Sequence, residues 1–460
     1  MLSECTIERV LQAALSRGGD FAEIYMEESK SSGIAFINGR VEKASAGIDF
    51  GLGIRILEKT KCVYVFSNDI REENLIRMAT DASASLQSVP LGMTIQLTPR
   101  VDFVSNPCII PPVNVNKSRK VEIIRRACDA AKAYSPLISQ TTGSYGDTQK
   151  RVWIANSDGL YRTDERARTR FTISAVASSE AEKQNGYFGP GSGKGFEFME
   201  NYPVEETARE AARIAVTMLS AKNCPSGKMP VVIDNGFGGV IFHEACGHSL
   251  EATAVGVHAS VFDGKLGQQI ASPLVTAVDD GTMSGEWGSI AIDDEGHDSS
   301  RNVLIENGIL TGYMIDLLGS RRMNMPATGS SRRESYQYPP TSRMTNTYIA
   351  PGNSDPKDII ADTAYGLYAA NMGGGSVEPA TGEFNFAVTE AYMIRDGKIA
   401  EPVRGATLIG KGSQVLMNID RVGTNLSLAQ GMCGSISGSV PTNVGQPMIR
   451  VSEITVGGRE

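Results

Sequence analysis

The chain of 460 residues is far longer than a single small module, and a prior of roughly 150 residues per domain suggests about three domains. Apolar residues make up 41% and charged residues 21%, values that exclude a disordered or fibrous chain. The formal net charge of -8, with no run of basic residues, argues against nucleic acid as a partner.

The first unit, residues 1–90, is predicted to contain a helix over 3–16, an antiparallel meander with a tight turn at Asn38-Gly39, and a covering helix over 71–86. Five prolines between positions 90 and 112 indicate a linker. The second unit, residues 91–222, repeats the order helix, strands, helix. This is either a remote internal repeat or a common arrangement.

The third unit, residues 223–460, is predicted to be mainly antiparallel β-structure, because long helical patterns become scarce there and glycine-punctuated hairpin turns multiply. Glycine, at 49 of 460 residues, also exceeds the roughly 7% of ordinary proteins. The expected fold class is therefore α+β: two N-terminal α/β units with antiparallel sheets and covering helices, followed by a β-rich domain.

Targeting signals are not evident in the sequence. Residues 1–4 lack the basic character of a signal peptide, and no apolar stretch approaches the roughly 18 residues of a membrane-spanning helix. Seven scattered cysteines without a C-x-x-C pair are typical of free thiols in a reducing compartment. We therefore expect a cytoplasmic protein that does not enter a membrane.

Two of the four histidines lie in an H-E-x-x-x-H motif, His243-Glu244 to His248, soon after an apolar strand. In the zinc-protease pattern H-E-x-x-H the histidines are four residues apart and reach one metal ion. Five residues of regular α-helix turn through about 500°, which leaves the two side chains some 140° apart. The motif therefore predicts a wide turn or a helix break at Gly247, the residue most able to permit it.

If both imidazoles bind Zn²⁺, Glu244 is placed to take a proton from the activated water, which is the chemistry of peptide hydrolysis. Such a site needs a third protein ligand and one open position. A pair of core histidines without metal is the alternative. The candidates for the third ligand are Cys246, Glu251, His258, His297 and Cys433.

The C-terminal half of the chain resembles the TldD branch of the TldD/PmbA family of metallopeptidases. The resemblance is strong from about residue 225 to the end and rests in the N-terminal half only on the order of elements. Its markers are residues 242–251 (FHEACGHSLE), 293–296 (DDEG), 332–336 (RRESY), 343–348 (RMTNTY), 373–377 (GGGSV), 404–410 (RGATLIG) and 444–447 (VGQP).

The resemblance implies that His243, His248 and Cys433 bind one zinc ion per chain and that Glu244 is the catalytic base, because the family's metal-binding cysteine matches Cys433 in its glycine-rich stretch. It further implies an enclosed site for unfolded or short peptides. A homodimer, or a heterodimer with a TldE/PmbA-like subunit lacking the motif, is also implied. Within residues 434–438 this chain replaces a Lys and a Gln that the family usually carries.

Two other functions stay open at this point. One is a non-catalytic partner subunit or peptide-binding protein whose metal is structural or absent. The other follows from the family's association with DNA gyrase control, namely a regulator that binds a nucleic-acid enzyme.

Four further patterns leave alternatives. The acidic runs at 279–280 and 293–295 are either a second cation site or solvated hairpin turns, and His297 lies beside the run at 293–295. Glu251 either orients an imidazole or lies at the surface. Residues 405–411 fit most of a P-loop, but Gly412 stands where a hydroxyl is needed, which argues against nucleotide binding. The arginines of 332–348 either face substrate or are solvated.

Overall fold

The computed structural model describes residues 2–86, 89, 94–101, 108–378 and 380–458, and it confirms the predicted α+β fold class. None of the described helices is long and apolar enough to cross a lipid bilayer. The helices are α1 (Glu4–Ala14), α2 (Glu72–Ser83), α3 (Lys117–Ala133), α4 (Glu197–Asn201), α5 (Val204–Ser220), α6 (Val240–Ala245), α7 (Ala252–Val255), α8 (Leu317–Met323), α9 (Pro356–Ala361) and α10 (Gly412–Met417).

One eight-stranded sheet forms the N-terminal half, in the order β3-β2-β1-β5-β6-β4, with β7 and β8 also paired to β6. Its strands are β1 (Phe21–Ile37), β2 (Arg40–Glu58), β3 (Lys61–Ser67), β4 (Thr98–Val101), β5 (Ile138–Asn156), β6 (Leu160–Ser178), β7 (Lys183–Phe188) and β8 (Gly191–Ser192). β1 pairs antiparallel with β5, from Glu23 opposite Asn156 to Ile37 opposite Thr142. The ranges 1–90 and 91–222 therefore share one sheet, and the boundaries at 90 and 222 stay predictions.

The predicted linker over 90–112 is only partly within the described residues, since 90–93 and 102–107 lie outside them. Its described part contains β4, which pairs parallel with β6. The prolines therefore do not prevent a strand there, because within the described residues β4 lies at the end of the main strand order, where a missing N–H is tolerated.

Successive side chains of β1 point to opposite faces of this sheet. Ile24 and Met26 pack with α1 and α2, and Ile34 and Phe36 pack with α3 and α5. The opposite face carries Tyr25, which packs against residues of the C-terminal half. The helices thus cover one face and the C-terminal half covers the other.

The C-terminal half is built on two further sheets. The first has eight strands in the order β17-β10-β24-β20-β18-β19-β9, with β21 paired to β24 and a β17–β18 pairing that closes a five-stranded ring. Its strands are β9 (Lys222–Asn223), β10 (Gly227–Ile233), β17 (Tyr365–Glu378), β18 (Glu383–Arg395), β19 (Lys398–Arg404), β20 (Thr407–Lys411), β21 (Ile419–Val422) and β24 (Ile449–Gly457).

The second sheet has six strands in the order β13-β12-β11-β16-β23-β22, so that β22 is an edge strand. Its strands are β11 (Ala277–Asp280), β12 (Arg301–Glu306), β13 (Ile309–Leu310), β16 (Asn346–Ile349), β22 (Ser427–Ser435) and β23 (Gly438–Gln446), and a separate pair is formed by β14 (Ser331–Arg332) and β15 (Thr341–Ser342). Most pairings are antiparallel, as predicted. The largest hydrophobic cluster joins the two sheets around α6.

Candidate metal centre

The two motif histidines lie on consecutive short helical turns that follow β10. A 3₁₀ turn over Gly236–Gly239 leads into α6, which carries His243 and Glu244. The α-helix ends at Ala245, Cys246 adopts φ -134° and ψ -48°, and a second 3₁₀ turn over Gly247–Leu250 carries His248. The predicted helix break is therefore confirmed.

Gly247 fits the break for a reason different from the one predicted. It does not adopt a positive φ, so its conformational freedom is not what the turn uses. A Cβ at this position would instead lie 2.4 Å from Sδ of Met344. Gly247 thus allows a close approach between the motif and the buried Met344.

The structure brings Cys433 to the two histidines. Cys433 lies on the edge strand β22, with Sγ 3.2 Å from Nε2 of His243 and 3.3 Å from Nε2 of His248. The two imidazole rings are 5.0 Å apart at an interplanar angle of 80°. Side chains from two distant segments of the chain therefore converge on one position.

This donor set fits a zinc ion. In a tetrahedral site with Zn–S of about 2.3 Å and Zn–N of about 2.0–2.1 Å, sulfur and nitrogen are about 3.5 Å apart. The observed separations of 3.2 and 3.3 Å are close to that value. Thiolate and imidazole are also the ligand types that zinc prefers.

The electrostatics favour the metal-binding form of Cys433. Burial raises the pKa of its thiol, but the adjacent His243 and His248 lower it by more, to about 3. Burial lowers the pKa of His248, while the Glu251 carboxylate and Cys433 raise it well above the ordinary value. Because the thiolate is the metal-binding form of cysteine, the site is prepared for a cation.

The two imidazoles differ in the hydrogen-bond partners of their Nδ1 atoms. Oε2 of the buried Glu251 lies 3.2 Å from Nδ1 of His248, so this carboxylate orients the imidazole and is not at the surface. Nδ1 of His243 is buried and finds no hydrogen-bond partner among the residues that the structure describes. His248 is therefore the imidazole whose ring orientation is fixed by a carboxylate.

The other ligand candidates lie elsewhere. His258 is exposed at the surface, 2.7 Å from Asp263. Cys246 is buried in the hydrophobic cluster, which raises the pKa of its thiol. His297 lies 3.5 Å from Asp293, in a separate group with Glu295.

Glu244 faces a large cavity together with His243 and Cys433. Its Oε2 lies 3.8 Å from Nε2 of His248, and 23% of its side chain is exposed. The cavity has a volume of about 1340 Å³, and its walls come from β6, β7, α5, α6, β17, β18 and β22. Glu244 thus shares one wall of the cavity with His243 and Cys433.

The expectation of solvated acidic turns is wrong. The carboxylates at 279–280 and 293–295 are all buried. Asp279 accepts hydrogen bonds from Thr345 and Thr347, and Asp294 pairs with Arg166 at 2.7 Å. These carboxylates join elements of the fold, and the sequence gives no signal for their distant partners.

The 332–348 segment also differs from both predicted alternatives. Its arginines are buried rather than solvated, and they are not among the residues that line the cavity. Arg343 donates to the carbonyl oxygen of Cys433, to Oγ of Ser437 at 3.0 Å and to the Gly438 carbonyl oxygen at 2.9 Å. Arg343 therefore holds the hairpin that presents Cys433, a role that motif spacing does not reveal.

Sequence reasoning missed most of the cavity wall. Arg170, Arg213 and Glu390 line it, and they come from strand and helix segments without a recognisable motif. A period-two row of arginines on β6, which includes Arg170, is visible in the sequence and could have been noticed.

Comparison with known proteins agrees with this architecture. Family models described as PmbA/TldA metallopeptidase domain 1, central domain and C-terminal domain match residues 22–86, 110–219 and 226–458. A Haemophilus influenzae protein named metalloprotease TldD homolog is 37% identical over 469 residues, covering 99% of this chain and 97% of its own. A Saccharolobus solfataricus protein named zinc metalloprotease TldD homolog is 23% identical, covering 98% and 99%.

Solved structures show the same fold. A Thermotoga maritima protein described as a candidate modulator of a DNA gyrase has a TM-score of 0.81 at 20% identity, covering 99% of this chain and 100% of its own. TldE from Thermococcus kodakarensis has a TM-score of 0.80 at 17% identity, covering 98% and 100%. Fold, motif and relatives together define a metallopeptidase. The chain belongs to the PmbA/TldD family, as its resemblance to the TldD branch implied.

Proposed function

We propose that the protein is a zinc-dependent peptidase in which His243, His248 and Cys433 bind one zinc ion per chain. The observation that carries this proposal is the convergence of two imidazole nitrogens and one thiolate on the wall of a large cavity. The word zinc in the name of the Saccharolobus relative supports the choice of metal.

A zinc ion held by His243, His248 and Cys433 would supply Lewis-acid chemistry, that is, polarisation of a carbonyl group and activation of water at neutral pH. Glu244 lies beside this position on the cavity side, with its carboxylate 3.8 Å from Nε2 of His248. Glu244 takes the proton from the attacking water and passes it to the leaving amine of the cleaved peptide bond. Glu251 and Arg343 act as positioning residues, one for His248 and the other for the Cys433 hairpin.

The substrates are unfolded or short peptides. The reactive groups lie inside a cavity, which a folded domain could not enter. Ser427 to Cys433 of the edge strand β22 line the same cavity, and an edge strand offers backbone groups to an extended chain. An extended peptide beside β22 reaches the position between Cys433 and Glu244.

The substitution Glu244→Gln tests the mechanism. The variant should retain about one zinc per chain and lose hydrolysis of an unfolded peptide by at least about 100-fold, because Gln cannot accept the proton. Metal content is measured by elemental analysis and cleavage by mass spectrometry. The matched control is Glu210→Gln, a carboxylate on another part of the cavity wall. Cleavage by the Glu244 variant at the wild-type rate would refute the assigned role.

The alternative of a non-catalytic partner subunit predicts no cleavage, with a structural metal or none, and a gyrase regulator predicts a stable complex with that enzyme. The complete His243, His248 and Cys433 set favours the peptidase. The proposal places the protein in the cytoplasm, as a homodimer or with a TldE/PmbA-like subunit. Light scattering on the purified chain, alone and with such a subunit, tests the assembly.

A further inference from the structure

The strand β6 carries a row of arginines that face the C-terminal half. The members of the row lie at even-numbered positions and share one face of the strand: Arg162, Arg166, Arg168 and Arg170. The first three donate hydrogen bonds to carbonyl or carboxylate oxygens of residues 287–298. They therefore fasten the N-terminal sheet to the C-terminal half, and only the last lines the cavity.

Arg170 is held in place without a counter-charge. Its guanidinium carbon lies 5.6 Å from the centre of the Trp287 ring, and its Nη2 donates a long hydrogen bond of 3.4 Å to the Gln430 carbonyl oxygen. Its Nε is buried and has no hydrogen-bond partner within the described part of the chain. Arg170 forms no ion pair with any described carboxylate, so its charge remains available to an anion in the cavity.

The other charged side chains of the cavity wall are either paired or negative. Arg213 also lines the cavity, but it pairs with Glu210 and with Glu390, both at 2.7 Å. Asp234 and Glu244 add further negative charge to the lining. A carboxylate inside the cavity is therefore repelled by most of the wall and attracted at Arg170.

The distance from Arg170 to the metal centre follows from β22. The indole N–H of Trp287 donates a hydrogen bond of 2.8 Å to the Gly431 carbonyl oxygen, and Arg170 donates to the Gln430 carbonyl oxygen. Both side chains are therefore fixed against this strand. Gln430 and Cys433 are three residues apart on β22, which corresponds to about 10 Å along an extended chain. An extended peptide that reaches Arg170 thus has about three residues between that point and the metal centre.

The geometry points to Arg170 as the subsite for a carboxylate of the peptide substrate, about three residues from the cleaved bond. This inference rests on the proposed peptidase function. A guanidinium binds a carboxylate through two parallel hydrogen bonds, and the nearby Trp287 ring favours a cation at this place. The carboxylate comes from the C-terminus of the peptide or from an acidic side chain at the same place.

The test compares two peptides of one sequence without Asp or Glu, one with a free C-terminus and one with a C-terminal amide. The wild-type protein should show a kcat/KM for the free acid about 10–100-fold higher than for the amide, the range expected for a charge-assisted pair. Arg170→Gln should lower this ratio to about 1, and Arg170→Lys should restore part of it. Arg213→Gln is the matched control, whose ratio should remain that of the wild type.

Mass spectrometry of the products gives the position of the cut, expected about three residues from the C-terminus of the free acid. A third peptide, an amide with Glu as its last residue, distinguishes the two sources of the carboxylate. Rapid cleavage of this peptide, lost in Arg170→Gln, identifies a side-chain carboxylate as sufficient, whereas slow cleavage identifies the C-terminus. Equal rates for acid and amide in the wild type, or an unchanged ratio in Arg170→Gln, would overturn the subsite.

Binding separates this inference from the proposed function. Fluorescence anisotropy of labelled free-acid and amide peptides on the wild type, Arg170→Gln and Glu244→Gln proteins needs no turnover. Tighter binding of the acid that is lost only in Arg170→Gln supports the subsite even if no peptide is cleaved. Equal affinity for acid and amide contradicts it even if both are cleaved.

Discussion

The carboxylate of Glu251 lies 3.2 Å from Nδ1 of His248, on the opposite edge of the ring from the Nε2 that faces Cys433. The other oxygen of Glu251 lies 4.0 Å from Nε of Arg343, and Arg343 donates to the carbonyl of Cys433. Glu251 and Arg343 therefore link the two chain segments that carry His248 and Cys433.

Replacing Glu251 with Gln should weaken zinc binding by about 10–100-fold, because the partner that fixes the His248 imidazole loses its charge. Competition with a chromophoric chelator measures the affinity. Asp263→Asn is the matched control, since Asp263 pairs with the exposed His258 away from the centre. Equal affinities for the wild type and the Glu251 variant would show that Glu251 does not support the ligand.

Gly247→Ala should lower both stability and zinc occupancy, because the new methyl group would lie 2.4 Å from Sδ of Met344. Overpacking of this kind costs about 1–3 kcal/mol. Urea denaturation and elemental analysis measure the two effects, and the double variant Gly247→Ala/Met344→Ala should regain zinc. Gly47→Ala is the control, since a Cβ there has open space. Full zinc occupancy in Gly247→Ala would contradict the steric explanation.

Asp316 makes stability depend on pH. Burial and the nearby Glu295 carboxylate raise the pKa of Asp316 to about 7. Between about pH 4 and pH 7 the folded chain thus keeps a proton that the unfolded chain releases, so stability falls as pH rises through this window. Asp316→Asn removes this loss while its side chain still accepts the Gly319 N–H at the start of α8.

The Asp316 variant should therefore be more stable than the wild type at pH 8, and the difference should shrink towards pH 4. Thermal or urea unfolding across this range measures it. Asp355→Asn is the control, because Asp355 also caps a helix, α9, by accepting the Lys357 N–H. A constant difference at all pH values would exclude the ionisation of Asp316 as its cause.

Arg55→Met should destabilise the fold by about 3–5 kcal/mol, because it leaves the buried Glu295 without its arginine and removes one of the two arginines that pair with the buried Glu23. Arg55 pairs with Glu23 at 2.8 Å and with Glu295 at 2.6 Å, and all three side chains are at most 1% exposed. Arg9→Met, which breaks the exposed pair with Glu72, should have far less effect on stability, because solvent screens this pair. Urea denaturation compares the two, and similar costs would contradict the difference between buried and exposed pairs.

Local sequence patterns were sufficient to predict several parts of the structure. The helix at the N-terminus begins after Ser3, whose side chain accepts the Thr6 N–H, and the Asn38-Gly39 turn joins β1 and β2 as predicted. The break between His243 and His248 also followed from the sequence, since five residues of α-helix cannot place two side chains on one metal. These features depend on neighbouring residues, which the sequence displays directly.

Pairings between distant residues could not be predicted in this way. Tyr25 and Glu23 alternate on β1 like any strand residues, yet they are buried against the C-terminal half, where Arg333 pairs with Glu23 at 2.6 Å. The acidic run at 293–295 looks like a solvated turn until its buried partners are known. Charge partners that are hundreds of residues apart leave no local periodicity.

The sequence by itself determined the fold class, the H-E-x-x-x-H break and, through family resemblance, Cys433 as the companion of the two histidines. Only the tertiary structure decided that Sγ of Cys433 lies 3.2 Å from Nε2 of His243, that Arg343 holds its hairpin, and that Arg170 faces the cavity without a counter-charge from any described residue. The physical reason is the distance along the chain over which each effect acts. Helix geometry and turn chemistry act over a few residues, whereas a binding site depends on how sheets pack and which charges that packing leaves unpaired.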